Sequence, residues 1–313
     1  MLLNILDLIL YYLVLLIFVL IGVAFFTLFE RKVLGYINNR KGPNKVFIMG
    51  LGQAISDGVK LFGKEYFLPY LSMYLLFFLS PMTIFFLSIS LWMIMPVYFH
   101  FLDFYFGLLF FFCLTGLSVY ALIFSGWSSN SKYSIFGAYR GVAQTISYEV
   151  SLALIMMSFV FLIESYNLEE FSLYQDMCWL IFMMMPLGMV WFVSLLAESN
   201  RTPFDFTEGE SELVSGFNVE YSGYFFALIF LGEYSSILFM SMMYVIMFMG
   251  GFSFFYIMKV MVIVFLFILI RGTLPRFRYD NLMYLAWKIY LPMSLNFLVF
   301  YLGYKGFLNI YLL

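Results

Sequence analysis

The sequence predicts an all-α polytopic membrane protein, with eight transmembrane helices, an in-plane amphipathic helix after the first, and both termini on the same side. Three observations predict this fold class. Hydrophobic residues make up 64% of the 313 residues and charged residues only 11%. Charge is scarce over about residues 5–28, 68–92, 104–126, 142–163, 177–196, 223–246, 254–270 and 289–308, and most of these stretches exceed the roughly 18 apolar residues that mark a spanning helix. The loops 29–67, 127–141, 197–222 and 271–288 together hold 14 of the 16 Lys and Arg, leaving Lys259 and Lys305 for the other side. Basic residues stay on the side from which insertion occurs, so the four loops share that side and the termini face away from it. A transmembrane barrel would alternate apolar and polar residues over about ten positions, and these runs do not. The whole chain, 1–313, reads as a single membrane domain.

The first run, from about Ile5 to Leu28, reads as a spanning helix and not as a cleavable leader, because the first base is Arg31. Glu30, Arg31 and Lys32 follow it. Residues 40–44, Arg-Lys-Gly-Pro-Asn, form a turn by composition. Over 51–65, Gln53, Asp57, Lys60 and Lys64 fall at i, i+4, i+7 and i+11, while Leu51, Ile55, Val59 and Phe62 occupy another face. That pattern is an in-plane interfacial helix, floating on lipid or walling a lateral opening.

The fourth span opens with Arg140 at its mouth and carries Glu149 about 13 Å deeper at 1.5 Å per residue. The sixth carries Glu233. A carboxylate at such depth is expensive in lipid and should face the bundle interior, where it is a candidate for function.

Residues 198–220 form an acidic island, with six of the chain's 18 acids (Glu198, Asp205, Glu208, Glu210, Glu212 and Glu220) and one base, Arg201. Thr202-Pro203-Phe204-Asp205 has the composition of a capped helix start, and Thr207-x-x-Glu210 that of a second. If helical, Asp205, Glu208 and Glu212 share a face, and clustered carboxylates raise one another's proton affinity. Interleaved Phe204, Phe206, Leu213, Val214 and Phe217 predict that the island folds back and buries part of itself. The first loop has seven bases against three acids, and the last has Arg271, Arg276, Arg278 and Lys288 against Asp280. Opposite charges on one membrane face predict a single polar platform built from the three loops. Cys113 and Cys178 cannot hold a zinc or iron–sulfur site alone and read as packed free thiols. His100, the one histidine, reads as a solvent or headgroup residue, so no metal ligand set is visible.

Taken together, ERKVLGYINNRKGPNK, DGVKLFGKE, GWSSNSKYSIFGAYRGVAQTISYEV, LAESNRTPFDFTEGESELVSGFNVEY and PRFRYDNLMYLAWK resemble, in order from Glu30 to Lys288, the chain-1 family of core membrane subunits of NADH–ubiquinone oxidoreductase, respiratory complex I. The spans 68–126 and 164–196 match mainly by apolar character. The resemblance implies a multi-pass subunit of the mitochondrial inner membrane, with termini toward the intermembrane space and the basic side toward the matrix. It implies ubiquinone as substrate and no cofactor on this chain alone, with NADH, FMN and iron–sulfur clusters on other subunits. The implied partners are other membrane and hydrophilic-arm subunits, including the one carrying the terminal iron–sulfur cluster, and membrane lipids, but no nucleic acid. Glu30, Arg31, Glu198, Arg201, Asp205, Phe217 and Arg271 are implied for the quinone chamber. Arg140, Glu149, Glu208, Glu210, Glu212, Glu220 and Glu233 are implied for the proton path and its coupling, and Arg276 and Arg278 for loop docking. Rival readings are the membrane subunit of a related hydrogenase, a pure scaffold, and a free-standing proton-coupled transporter. The last predicts an inverted repeat and broken helices, and the sequence shows no clear repeat.

Overall fold

The computed structural model describes residues 2–96, 104–175, 178–251 and 255–312, without the side chains of residues 2–8, 210, 211, 311 and 312. The described residues are helical with short connections: α1 Leu2–Ile37, α2 Gln53–Gly63, α3 Tyr74–Leu91, α4 Gly107–Ser128, α5 Lys132–Ile163, α6 Leu168–Tyr174, α7 Leu180–Met183, α8 Met185–Glu198, α9 Glu210–Leu213, α10 Gly223–Phe248, α11 Tyr256–Thr273, α12 Tyr279–Tyr284 and α13 Leu291–Leu312. A π-helical turn, Leu285–Tyr290, joins α12 to α13. Among the described residues, seven segments are long and apolar enough to cross a membrane: Ile9–Ile37, Tyr74–Ile94, Gly107–Ser128, Lys132–Ile163, Gly223–Phe248, Tyr256–Thr273 and Tyr279–Ile310.

The remaining expected span, the fifth apolar stretch, 177–196, is not one rod. It contains α7 and the 14-residue α8, separated at Met184. Pro186 begins α8, where its missing N–H costs no helical bond. The long helices are apolar around their whole circumference, as expected of segments between lipid and protein. α2, by contrast, is strongly amphipathic. Ile55, Val59 and Phe62 are exposed on it, while Gln53 donates to Asp57 at 2.8 Å across its polar face. It lies against α1 and α10. α10 is the central element, packed against α1, α2, α3, α6, α7, α8 and α11. One large core runs through the bundle, and a smaller one gathers Phe77, Leu122, Phe217, Tyr221, Phe225 and Ile229.

Several expected boundaries move. α1 reaches Ile37, so Glu30, Arg31 and Lys32 are helical, and at about 54 Å the helix outruns a ~30 Å hydrocarbon layer. Most of the expected loop 127–141 is the start of α5, and Arg140 lies nine residues inside the helix beginning at Lys132 instead of at its mouth. The expected loop 271–288 reduces to 274–278. Neither expected helix start in the island forms. The carbonyl of Pro203 accepts from the N–H of Phe277 at 3.1 Å and that of Phe204 from Gln144 at 2.8 Å, so tertiary bonds take the acceptors a helix there would use. The four-residue α9 begins after Gly209, with no side-chain cap. Cys113 and Cys178 are free but exposed, not packed. His100 lies outside the described residues.

Candidate functional site

The island leaves α8 at Glu198 and turns back onto α5. The turn is held by Gln144, fully buried, whose amide donates to the carbonyls of Ala197 at 2.7 Å and Phe204 at 2.8 Å. Farther on, Thr207 and Gly216 press against α5 where that helix has no side chains. A Cβ added at Gly141 would lie 2.3 Å from Thr207 Cγ2, and one at Gly137 would lie 3.0 Å from Gly216 Cα. Phe204 stacks on Phe277 with centroids 5.6 Å apart, and Phe206 meets Tyr279 edge-on at 5.9 Å. These contacts fix the two island residues that matter most for charge, Arg201 and Asp205.

Glu30 is the centre of the cluster. Its carboxylate is buried, accepts from the Tyr234 hydroxyl at 2.6 Å and from Arg271 Nη1, and lies 3.8 Å from Arg201 Nη1. The Arg201 guanidinium sits 4.4 Å over the ring of Tyr234. Burial works against its charge, but Tyr234 and Glu30 prevail and push its pKa up. Beside it, Asp205 pairs with Arg276 at 3.0 Å. Segments far apart in sequence (α1, the island, α11 and the connection 274–278) thus meet as one charged platform. The last loop joins as the loop charges predicted, a base on an island acid, while the first joins in the opposite sense, through its acid Glu30 on the island's one base. The neighbouring Glu30 and Arg31 diverge, as consecutive helix positions about 100° apart must. Arg31 turns outward to Asp57 of α2, Nη1 to Oδ2 at 2.5 Å.

A cleft of about 490 Å³ lies between α1, α2 and α10, walled by Val23, Leu34, Leu61, Phe226, Phe230 and Leu231 and reaching Glu30, Tyr234 and Arg271. It is apolar along its walls and charged at one end. A second, inner cavity of about 90 Å³ lies between α3, α4 and α10. Glu198, Asn200, Glu233 and Ser236 line it together with Ser88, Thr115 and Ser118. Glu149 lies within electrostatic reach of Glu198, and one oxygen of each is buried without a hydrogen-bond partner. Among the described residues neither they nor Glu233 has a cation within ion-pair distance. Glu233 and Tyr234 are consecutive on α10, so one helix presents a carboxylate to the inner cavity and a phenol to the cleft. Arg201 stands between the two, in electrostatic reach of Tyr234, Glu30, Glu233 and Glu208.

The remaining expected residues disperse. Glu198 belongs to the inner cavity and not to the cleft. Phe217 is buried in the smaller core and packs there. Asp205, Glu208 and Glu212 share no helical face. Glu208 accepts from Asn218 at 2.8 Å, while Glu212 reaches out to Arg140 on α5. Arg278 pairs with Asp280 at the exposed surface, 3.1 Å apart. Glu220 makes no ion pair among the described residues, and the Glu210 side chain lies outside them. Sequence reasoning missed Tyr234 and Gln144. The signal for Tyr234 was a phenol next to a carboxylate in an otherwise apolar helix. Gln144, a single carboxamide in α5, gave no signal.

Burial raises the Asp205 carboxyl above the ordinary range, against the pull of Arg276, Arg201 and Arg271. Burial also raises Glu208, with Arg201 opposing and Asp205 adding. Well below about pH 4 both carboxyls are protonated whether the island is docked or open. As pH rises the open form ionises first, so docking weakens until the docked carboxyls also ionise. The island should therefore resist protease better at about pH 5 than at about pH 8, after correction for the protease's own profile. Glu208→Gln should flatten much of that difference, and an unchanged slope would refute the assignment.

The described residues thus form a helical bundle of a polytopic membrane protein, with a buried carboxylate–guanidinium centre, an apolar-walled cleft that reaches it and further acids on an inner cavity. The model of the NADH dehydrogenase family matches residues 10–302. The NADH-ubiquinone oxidoreductase chain 1 of Aedes aegypti is 60% identical over 298 residues, 95% of each chain. That of Phascolarctos cinereus is 50% identical over 294 residues, 91% of this chain and 92% of its own. The chain belongs to the NADH dehydrogenase family, whose matching relatives here are chain-1 subunits of that oxidoreductase.

Proposed function

We propose that the chain, as a core membrane subunit of proton-pumping NADH:ubiquinone oxidoreductase in the mitochondrial inner membrane, forms the entrance and lower part of the ubiquinone chamber and passes the effect of quinone reduction to proton movement. Its termini face the intermembrane space, and its partners are the other subunits of complex I, including the one with the terminal iron–sulfur cluster. The carrying observation is Arg201, placed between a cleft suited to a greasy tail with a polar head and a cavity lined by Glu198 and Glu233. A charge change at the cleft end acts on Glu30 and Arg271, alters the field at Arg201 and reaches Glu233. Such coupling is strong where water is scarce. The resident redox centres belong to other subunits, and this chain's part is binding, orientation and electrostatics.

Gly58 on α2 lines the cleft, and a Cβ there meets nothing within 4 Å. Gly58→Trp should therefore leave folding intact and fill the entrance. The expected result is a KM several-fold higher for a long-tailed quinone than in the wild type, with less change for a short-tailed one. Equal, unchanged KM values would remove the cleft as the entrance. Glu149→Gln should lower protons pumped per NADH while the complex still assembles, and normal pumping would remove Glu149 from the path.

A further inference from the structure

α13 packs on α5, burying Ser294 and Tyr301. At 100° per residue, Pro292, Asn296, Val299, Gly303, Gly306 and Ile310 fall on the opposite side of the helix in one stripe, and all six are exposed. Five of the six are what a lipid-facing surface carries without comment. Asn296 is not. It lies eight residues after Lys288 and nine before Lys305, about 12 and 14 Å from each along the axis. Lys288 sits over the Tyr284 ring at 4.5 Å, and Lys305 pairs with Glu164 at 3.2 Å, so these lysines mark the two ends of the span. Asn296 is thus a carboxamide near the bilayer midplane, facing away from its own bundle, with no hydrogen-bond partner among the described residues.

Hydrocarbon offers that amide no donor or acceptor, and an unpaired amide there is costly. A helix offers both, and interhelical hydrogen bonds from Asn are a main means by which spans associate. One and two turns beyond Val299, Gly303 and Gly306 have open space where a Cβ would stand, so a neighbouring backbone can approach closely there. We infer that this stripe of α13 is the docking surface for a transmembrane helix of a neighbouring subunit, one that presents a hydrogen-bonding side chain at the depth of Asn296. The inference rests on the reading of the chain as one membrane subunit among several.

The test uses the assembled complex in its membrane. Val299 is replaced by a photo-crosslinking amino acid, and the adduct is mapped by mass spectrometry. The expected adduct joins this chain to a spanning helix of another subunit of the complex, at a position within about one turn of a polar residue. Asn296→Leu should then reduce retention of that subunit on detergent extraction by roughly 3- to 20-fold, and Gly303→Leu should reduce the adduct yield, with turnover per intact complex unchanged. An adduct with lipid alone, or with a second copy of this chain, overturns the inference, as does full retention in Asn296→Leu. If the chain does not purify with the oxidoreductase at all, the underlying reading fails instead, which the same purification shows.

Discussion

Glu30→Gln is expected to give the largest loss of any change to a charged side chain of the platform. The carboxylate offsets two guanidiniums, Arg271 and Arg201, and accepts the Tyr234 hydroxyl. Gln keeps the shape, but it replaces one acceptor with a donor aimed at cations and leaves two positive charges facing each other. Removing one partner of a buried pair costs about 3–5 kcal/mol. Arg271 is 34% exposed and regains some water, which points to the lower end, still a factor of roughly 100. The loss should appear both as less assembled enzyme on native gels and as lower quinone reductase turnover per assembled enzyme. Pairing the change with Arg271→Gln removes the surplus charge, so the double variant should lose less than the two single losses combined. Wild-type assembly and turnover in Glu30→Gln would show that the cluster is neither structural nor functional.

Gly216→Ala should be more damaging still, through the backbone. Gly216 has φ +57°, and a Cβ there would lie 1.6 Å from the carbonyl oxygen of Thr207. The left-handed conformation alone costs an L-residue about 1–2 kcal/mol. The clash adds more, because Thr207 has nowhere to go: its own side chain is pressed onto Gly141 of α5. The island must lift from α5 as a body, and Arg201 and Asp205 leave the platform with it. A loss above about 4 kcal/mol is the expected class of effect, seen as little or no assembled chain. Gly63→Ala is the comparison. That glycine is helical with open space around it, so the change should be neutral or slightly stabilising. Equal behaviour of the two variants would refute the packing argument.

The spans were legible because lipid imposes a length of uniform apolar sequence that little else requires. Their ends were not. The first turns of α5 are small and polar, yet they are helical because Ser134, Gly137 and Gly141 pack against the end of α4 and the island. Convergence of the last loop on the island was legible from the sign of their charges, but the first loop joins through its acid, Glu30, against the sign of its net charge. The partners within the platform were not, since Glu30 meets residues 204 and 241 positions away. Periodicity misled in the island, because its carbonyls bond to Gln144 and Phe277 instead of to its own N–H groups. The acids therefore separate, Asp205 to Arg276 and Glu212 to Arg140.

Glu233 and Tyr234 stand side by side on one rigid helix with Arg201 against them, and that adjacency runs in both directions. If occupancy of the cleft shifts the proton affinity of Glu233 by some factor, protonation of Glu233 shifts affinity for the cleft's occupant by the same factor. Under the proposed reading, back-pressure from an opposing proton gradient is therefore felt as altered quinone affinity at the mouth of the chamber, without any signal beyond the shared field of one guanidinium.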